Sequence, residues 1–598
     1  MVSANIFKFC SFIRNRRVLE DPKSAGIKNS YLFIIICLSA FTTIVTVLSY
    51  IRYIDFFTSN WDLGINIQML ASESKGFLLY EAADFQGYGV LSHLEIHSTY
   101  VAIPFSYLYN LIGSPIALFF MQALIVSAGS IPLYFISRKL DLGRNYSVFL
   151  ILLYLCNFPI IASLMYDYHW LSFMPILFLS LFYFVWTDKY VYAALTIALG
   201  SCINEVFPLL ALGIALYFFL DRKGLNSMLY PRNLFKRTYL ALYALVSISI
   251  SLFLLGRYLQ LDLLPSYLNN MSGIVNLEKY GLPALFPAHL DIGLESLPLS
   301  YWIILLASVC FIPLLRPKTL ILSLPWLYET FFLSPSYANV SEQYNFIAMS
   351  SLIVGVAFGL KRIELGNLTN REKYAILAVP AVAVIVISIN SFSAVRTDFS
   401  NIILILGVFV TAIVITVLFS RHGIIDMLRT KFARLDSRYF IAALSVLILV
   451  FSFLAGPLNV NNDNRNIDSG YAFSYTPNPE FRSAEAIAAL MPGNASVAVS
   501  DNLFPLVATD ANALSFYWLP ISELGRGGYY NFSNPEHFEY IFVDQSQIID
   551  LPISVIQAID NPSIYGVYAK VITLLNYPGN ITLYKLGYRG TAMTYDVP

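Results

Sequence analysis

"AALTIALGSCINEVFPLLALGIALYFFL", residues 193–220, is apolar at nearly every position except its middle, where Asn204 and Glu205 stand together ahead of Pro208. An uncharged apolar run of this length is what membrane crossing requires. An ionisable group inside such a run costs at least about 2.5 kcal/mol and is rarely there without use. The stretch reads as two spans meeting at a polar hairpin. Glu205 either forms the turn of that hairpin or faces a cavity.

The rest of the chain repeats the pattern. Its 598 residues are 57% apolar and 12% charged, and mean hydropathy is +0.64. Soluble domains carry roughly twice that charged fraction. Apolar runs fall near 31–51, 115–136, 146–164, 171–187, 190–203, 206–220, 238–257, 300–315, 319–333, 345–360, 374–391, 400–420 and 438–457. The expected fold is a polytopic α-helical membrane protein of about 13 transmembrane helices, some short enough to be tilted or broken.

Charge orients these spans. With residues 1–30 as a basic cytoplasmic segment without a signal-peptide cleavage site, the cytoplasmic segments hold 26 Lys and Arg. The opposite segments up to residue 457 hold five: Arg52, Lys75, Arg257, Lys279 and Arg396. That asymmetry is the positive-inside pattern. It places the chain as a multi-pass protein of the plasma membrane, with residues 31–457 as the transmembrane domain. The long first loop 52–114, the turn 165–170, the loop 258–299 and the turn 334–344 then face outward. Segment 99–112 is too short to span comfortably and is expected as an interfacial helix.

From residue 458 the composition turns polar. "ASVAVS", "YIFVD" and "NITLYKL" read as strands, and "PEFRSAEAIAALM" reads as a helix. We expect 458–598 to be a small extracytoplasmic α/β domain. The five cysteines are scattered, with no CxxC pair, and read as buried hydrophobes. Net charge is zero, so no global field points to nucleic acid. No Walker A loop, GxGxxG or GxSxG occurs, which argues against ATP-driven transport and dinucleotide chemistry.

The outward polar residues gather in few places. "NWDLGINIQ" carries Asp62 and Gln68, "SHLEIHST" carries His93, Glu95 and His97, "YDYHW" carries Asp167 and His169, and "SEQYN" carries Gln343 and Tyr344. Asp62 is a helix cap, a general base or a metal ligand. His93 and His97, at i and i+4, share a helix face and can chelate a divalent metal; on a strand Glu95 would join them. Asp167 can share a face with His169 or orient it near a wet helix end.

These segments, with "MQALIVSAGSIPLYFISRKL" and "INEVFPLL", resemble domain-of-unknown-function family two-zero-seven-nine, prokaryotic predicted membrane proteins, over roughly 50–360. Asp62, His93, Asp167, His169 and Glu205 match its motifs. Ile67, Trp170, Asn204 and Gln343 depart from them, standing where the family has an acid, Pro, Lys and His. That family is similar in turn to the GT-C superfamily of integral membrane glycosyltransferases.

The resemblance implies transfer of a sugar from a polyprenyl-phosphate-linked donor to an acceptor lipid, glycan or protein at the outer face. It implies Asp62 as base, and Asp167, His169, Glu205, His93 and Glu95 placing phosphate or a divalent metal, magnesium or manganese. Arg257 or Arg52 would pair with the phosphate, and Gln68, Gln343 and Tyr344 would line the substrate site. A transporter or lipid flippase, and a non-catalytic cell-envelope scaffold, are the alternatives.

Overall fold

The computed structural model describes residues 22–88, 90–223, 241–252, 297–333, 337–366, 445, 478, 480–515, 538–544, 568–575 and 580–596. Arg257, the loop 258–296, the expected spans 374–391 and 400–420 and, apart from residue 445, the expected span 438–457 lie outside them.

Four described helical segments are long and apolar enough to cross a membrane: Leu32–Ile54, Ile116–Lys139, Arg144–Tyr166 and Asn345–Glu364. Shorter apolar helices cover Trp170–Trp186, Tyr190–Ser201, Phe207–Leu220 and Ala241–Leu252. The helix Met174–Trp186 is central. It packs against Ser130–Lys139, Tyr190–Ser201, Phe207–Lys223 and Asn345–Glu364, and Phe178, Phe182, Phe346 and Met349 are fully buried there. Such helices bury all their backbone polar groups in their own hydrogen bonds, as a lipid environment demands.

Two expected spans differ in form. Residues 300–315 form the helix Leu297–Ser308, then a break at Cys310 and Phe311, both at positive φ, then the 3-10 turn Ile312–Leu315. Residues 319–333 divide into Pro317–Ser323, Leu324–Tyr328 and Glu329–Leu333. Pro313, Pro317 and Pro325 lack the N–H that a continuous helix needs, and each stands at the start of a new piece.

The helix ends sort by chemistry. At one end Lys361 donates to the Asp141 carbonyl, Arg362 to the Leu315 carbonyl, and the Gly143 N–H to Glu364. The basic turns near 138–144, 316–318 and 361–362 are thereby gathered. The opposite ends of Ile116–Lys139 and Arg144–Tyr166, about 35 Å away at 1.5 Å per residue, carry the segments around Asp62 and Asp167. The helix Ala102–Ile112 forms within the expected 99–112 segment and leaves Tyr107, Leu108, Leu111 and Ile112 exposed.

The C-terminal segment contains a six-stranded mixed sheet: β1 Val497–Val499, β2 Ala513–Ser515, β3 Tyr540–Asp544, β4 Tyr568–Leu575, β5 Ile581–Leu586 and β6 Met593–Asp596. The order is β2-β1-β3-β5-β4-β6. β1 is parallel to β2 and β3, with Val497 opposite Ala513 and Tyr540; β3 and β5 are antiparallel, with Tyr540 opposite Lys585. β1, β2 and β3 are buried at every residue, so they read as continuous apolar runs. The helix Phe481–Ala488 buries Phe481, Ala484 and Ile487.

This segment packs onto the first loop. Phe481 meets Tyr53 edge-on at 5.0 Å. The Asn478 N–H donates to Asp55 Oδ1 at 2.6 Å, and Lys75 Nζ donates to the Thr509 carbonyl at 2.7 Å. Loop 52–88 and the sheet-bearing segment therefore share one end of the helix bundle.

Candidate functional site

Asp62 sits in a π-helical turn, Asn60–Gly64, closed by the Gly64 N–H to Ser59 carbonyl bond at 3.0 Å. Single π turns recur at functional sites because they re-aim side chains. Asn66 fixes this turn. Its Nδ2 donates to the Asp62 and Tyr168 carbonyls at 2.8 and 3.3 Å, and its Oδ1 accepts from Trp170 Nε1 at 2.7 Å. The Asp62 turn and the 166–170 segment are thus one unit, although 104 positions separate Asn66 from Trp170.

His169 faces Asp62 across this unit, Nε2 to Oδ1 3.8 Å. Its Nδ1 accepts from the Leu171 N–H at 3.1 Å, so the neutral ring carries its proton on Nε2, toward Asp62. Gln122 holds the His169 backbone N–H at 2.7 Å. Burial first, and then the His97 and His93 charges, push the His169 imidazole down to about 3, against an opposing pull from Glu205. The ring is neutral at pH 7.

Glu205 accepts from the Ser98 N–H through Oε2 at 3.2 Å and meets His97 Nδ1 through Oε1 at 2.9 Å. The His97 and His93 rings are 5.4 Å apart. The Asp62–His169 pair and the His93–His97–Glu205 group lie within electrostatic reach of each other, since the charges of the second act on His169. Their members come from the first loop, the 166–170 segment and the 201–207 turn. Asn204 caps that last turn, accepting from the Val206 N–H at 2.9 Å.

Asp167 points elsewhere. Its Oδ1 takes Arg52 Nη1 at 2.7 Å, and its Oδ2 accepts from the Ser59 N–H at 3.2 Å. Arg52 is 1% exposed, so both members of the pair are committed to each other. The structure thus places Arg52 and Asp167, expected at the phosphate and beside His169, against each other.

Gln68 joins two segments. Its Nε2 donates to the Asp510 and Ala513 carbonyls, and its Oε1 accepts from the Ala82 N–H. It clips the first loop to the C-terminal segment, with both amide hydrogens engaged there. Gln343 is buried, and its Oε1 has no hydrogen-bond partner among the described residues. Tyr344 stacks on Tyr337 with ring centres 4.3 Å apart, and Tyr337 lies nearly parallel to Trp326. The Asp62 charge reaches Tyr344.

Of His93, Glu95 and His97, the two imidazoles lie side by side and Glu95 is directed elsewhere. Glu95 Oε1 accepts from the Leu91 N–H at 3.1 Å, and His97 turns to Glu205. Glu81, Asp84 and His93 do gather, with ligand atoms within 4.8 Å of one another. Burial, then the Asp84 charge, holds Glu81 well above the usual carboxylate range. Burial raises Asp84 to about 6 and, with His97, lowers His93 to about 4. Glu81 and Asp84 escaped the sequence reading. Their only signal was two acids three positions apart at the start of a short helix, a pattern that ordinary caps share.

Apolar helices around a polar centre at one end define a helical membrane protein. The profile of the family described as predicted membrane protein (DUF2079) matches residues 52–403, and the chain belongs to that family. No curated protein matches it in sequence.

Proposed function

We propose that the chain is a membrane glycosyltransferase of GT-C type, moving a sugar from a polyprenyl-phosphate-linked donor to an acceptor at the outer membrane face. In this reading 13 spans carry the site and residues 458–598 form an extracytoplasmic α/β domain. The observation that supports it most is the pairing of two buried carboxylates with part-exposed imidazoles, Asp62 with His169 and Glu205 with His97, at the end of the bundle remote from the basic turns. A carboxylate there can take the proton from an acceptor hydroxyl as the sugar–phosphate bond breaks. The neutral His169 Nε2–H can orient that carboxylate. The exposed apolar helix Ala102–Ile112 suits an interface where a lipid-linked donor keeps its phosphate at headgroup depth.

The experiment is Asp62→Asn and Glu205→Gln in cells, reading cell-envelope glycans at matched protein level. The proposal expects loss of a glycan in both. Unchanged glycans with altered uptake or lipid movement favour a transporter or flippase, the reading that Glu205 among apolar helices also fits. Unchanged glycans and transport favour an envelope scaffold.

A further inference from the structure

We propose that Glu81, Asp84, His93 and His97 bind one divalent transition-metal ion of the zinc or manganese class, with Glu205 orienting His97. The site is independent of the sugar-transfer reading, because ion binding is measurable whatever reaction the chain performs.

Three observations lead here. Glu81, Asp84 and His93 bring ligand atoms within 4.8 Å of one another. Glu81 is 1% and Asp84 7% exposed, and among the described residues no Lys or Arg pairs with either. Two carboxylates buried this close repel each other unless a shared proton or a positive ion lies between them. Glu81 is already aimed: its two oxygens accept the Ala83 and Asp84 N–H groups at 2.8 and 2.6 Å, each keeping a second lone pair.

The third observation concerns the imidazoles. His93 meets Asp84 through Nδ1 at 2.8 Å, and His97 meets Glu205 through Nδ1 at 2.9 Å. Glu205 on His97 Nδ1 is the arrangement that orients a metal-ligating histidine, while His93 Nδ1 and Asp84 Oδ2 are close enough to be donors to one ion. The rings lie 5.4 Å apart. Two imidazoles on one tetrahedral ion, with bonds of about 2.0–2.1 Å, put their ring centres roughly 5 Å apart. Mixed nitrogen and carboxylate donors suit zinc or manganese better than magnesium or calcium.

The test uses the full-length chain in detergent micelles, stripped with a chelator and reloaded with zinc sulfate or manganese chloride alone. Bound metal is measured by mass spectrometry and affinity by calorimetry. We expect one ion per chain, at least tenfold weaker binding in Asp84→Asn and in His93→Gln, and unchanged binding in Glu539→Gln. Asp62→Asn retains the ion, which separates failure of this site from failure of the transfer reading. Because a variant can lose its fold, the wild type supplies a second readout: its melting temperature rises with added zinc and levels off at one equivalent. No stoichiometric ion at about 100 µM zinc and no rise in melting temperature would overturn the proposal. So would wild-type affinity in a folded Asp84→Asn/His93→Gln variant.

Discussion

Arg52 and Asp167 meet at 2.7 Å where almost no solvent reaches. Each charge is tolerable only while the other is present, so removing one partner is worse than removing both. Arg52→Met should destabilise the chain by about 3–5 kcal/mol, and Arg52→Met with Asp167→Leu should regain most of the loss. Unfolding in mixed micelles measures this; a double variant as unstable as the single one would contradict it. His169 titrates in the other sense from an ordinary salt-bridged histidine. Its folded value, about 3, lies below the unfolded value of 6.5, so the unfolded chain binds more protons between them. Its contribution to stability is intact above pH 6.5 and is lost as pH falls toward 3. His169→Asn should therefore show a smaller drop in melting temperature between pH 7 and pH 4 than the wild type. An equal drop in both would assign the acid sensitivity to other groups. Asp62, His169 and Glu205 stood out in the sequence because polar groups in apolar surroundings are conspicuous. The pairings did not, since nothing in the order of residues pairs Arg52 with Asp167 or His97 with Glu205 across more than a hundred positions.

Elements meet at Gly64. A Cβ there would come within 2.4 Å of Phe504 Cδ1, so the Asp62 turn and the Phe504 turn of the C-terminal segment close only over glycine. Gly64→Ala should cost about 1–3 kcal/mol through overpacking and loosen the C-terminal segment. Phe504→Leu in the same chain should relieve part of it, as limited proteolysis of the segment would report. No change in proteolysis for Gly64→Ala would mean that this contact is not what seats the segment. The strands β1, β3 and β5 were legible because β-branched and aromatic residues run between turn residues. β2, β4 and β6 were not: three residues, "ALS", carry too little pattern, and "YAKVITLL" bends at an irregularity between Lys570 and Ile572 that breaks its alternation. The contacts of Gln68 were hidden for a related reason. A buried glutamine in a polar motif looks like a ligand contact until the carbonyls of Asp510 and Ala513 are seen on its amide.

At the scale of the whole molecule, lengths and charges carried the reading. The apolar runs near 115–136, 146–164 and 345–360 became membrane-length helices. The runs at 300–315 and 319–333 broke at prolines, which hydropathy averaged over a window does not register. The basic turns and the polar centre lie at opposite ends of the same helices, and the C-terminal sheet lies at the polar end. The account stands on that polarity. The direct measurement is cysteine labelling of intact cells with a membrane-impermeant maleimide, in a chain otherwise free of cysteine. Single cysteines replace the exposed Leu91 of the first loop, Leu490 of the C-terminal segment and Leu365 at the basic end. We predict that positions 91 and 490 label from outside and that position 365 labels only after permeabilisation. Positions 91 and 490 on opposite sides of the membrane, or 365 labelled together with 91, would contradict the account.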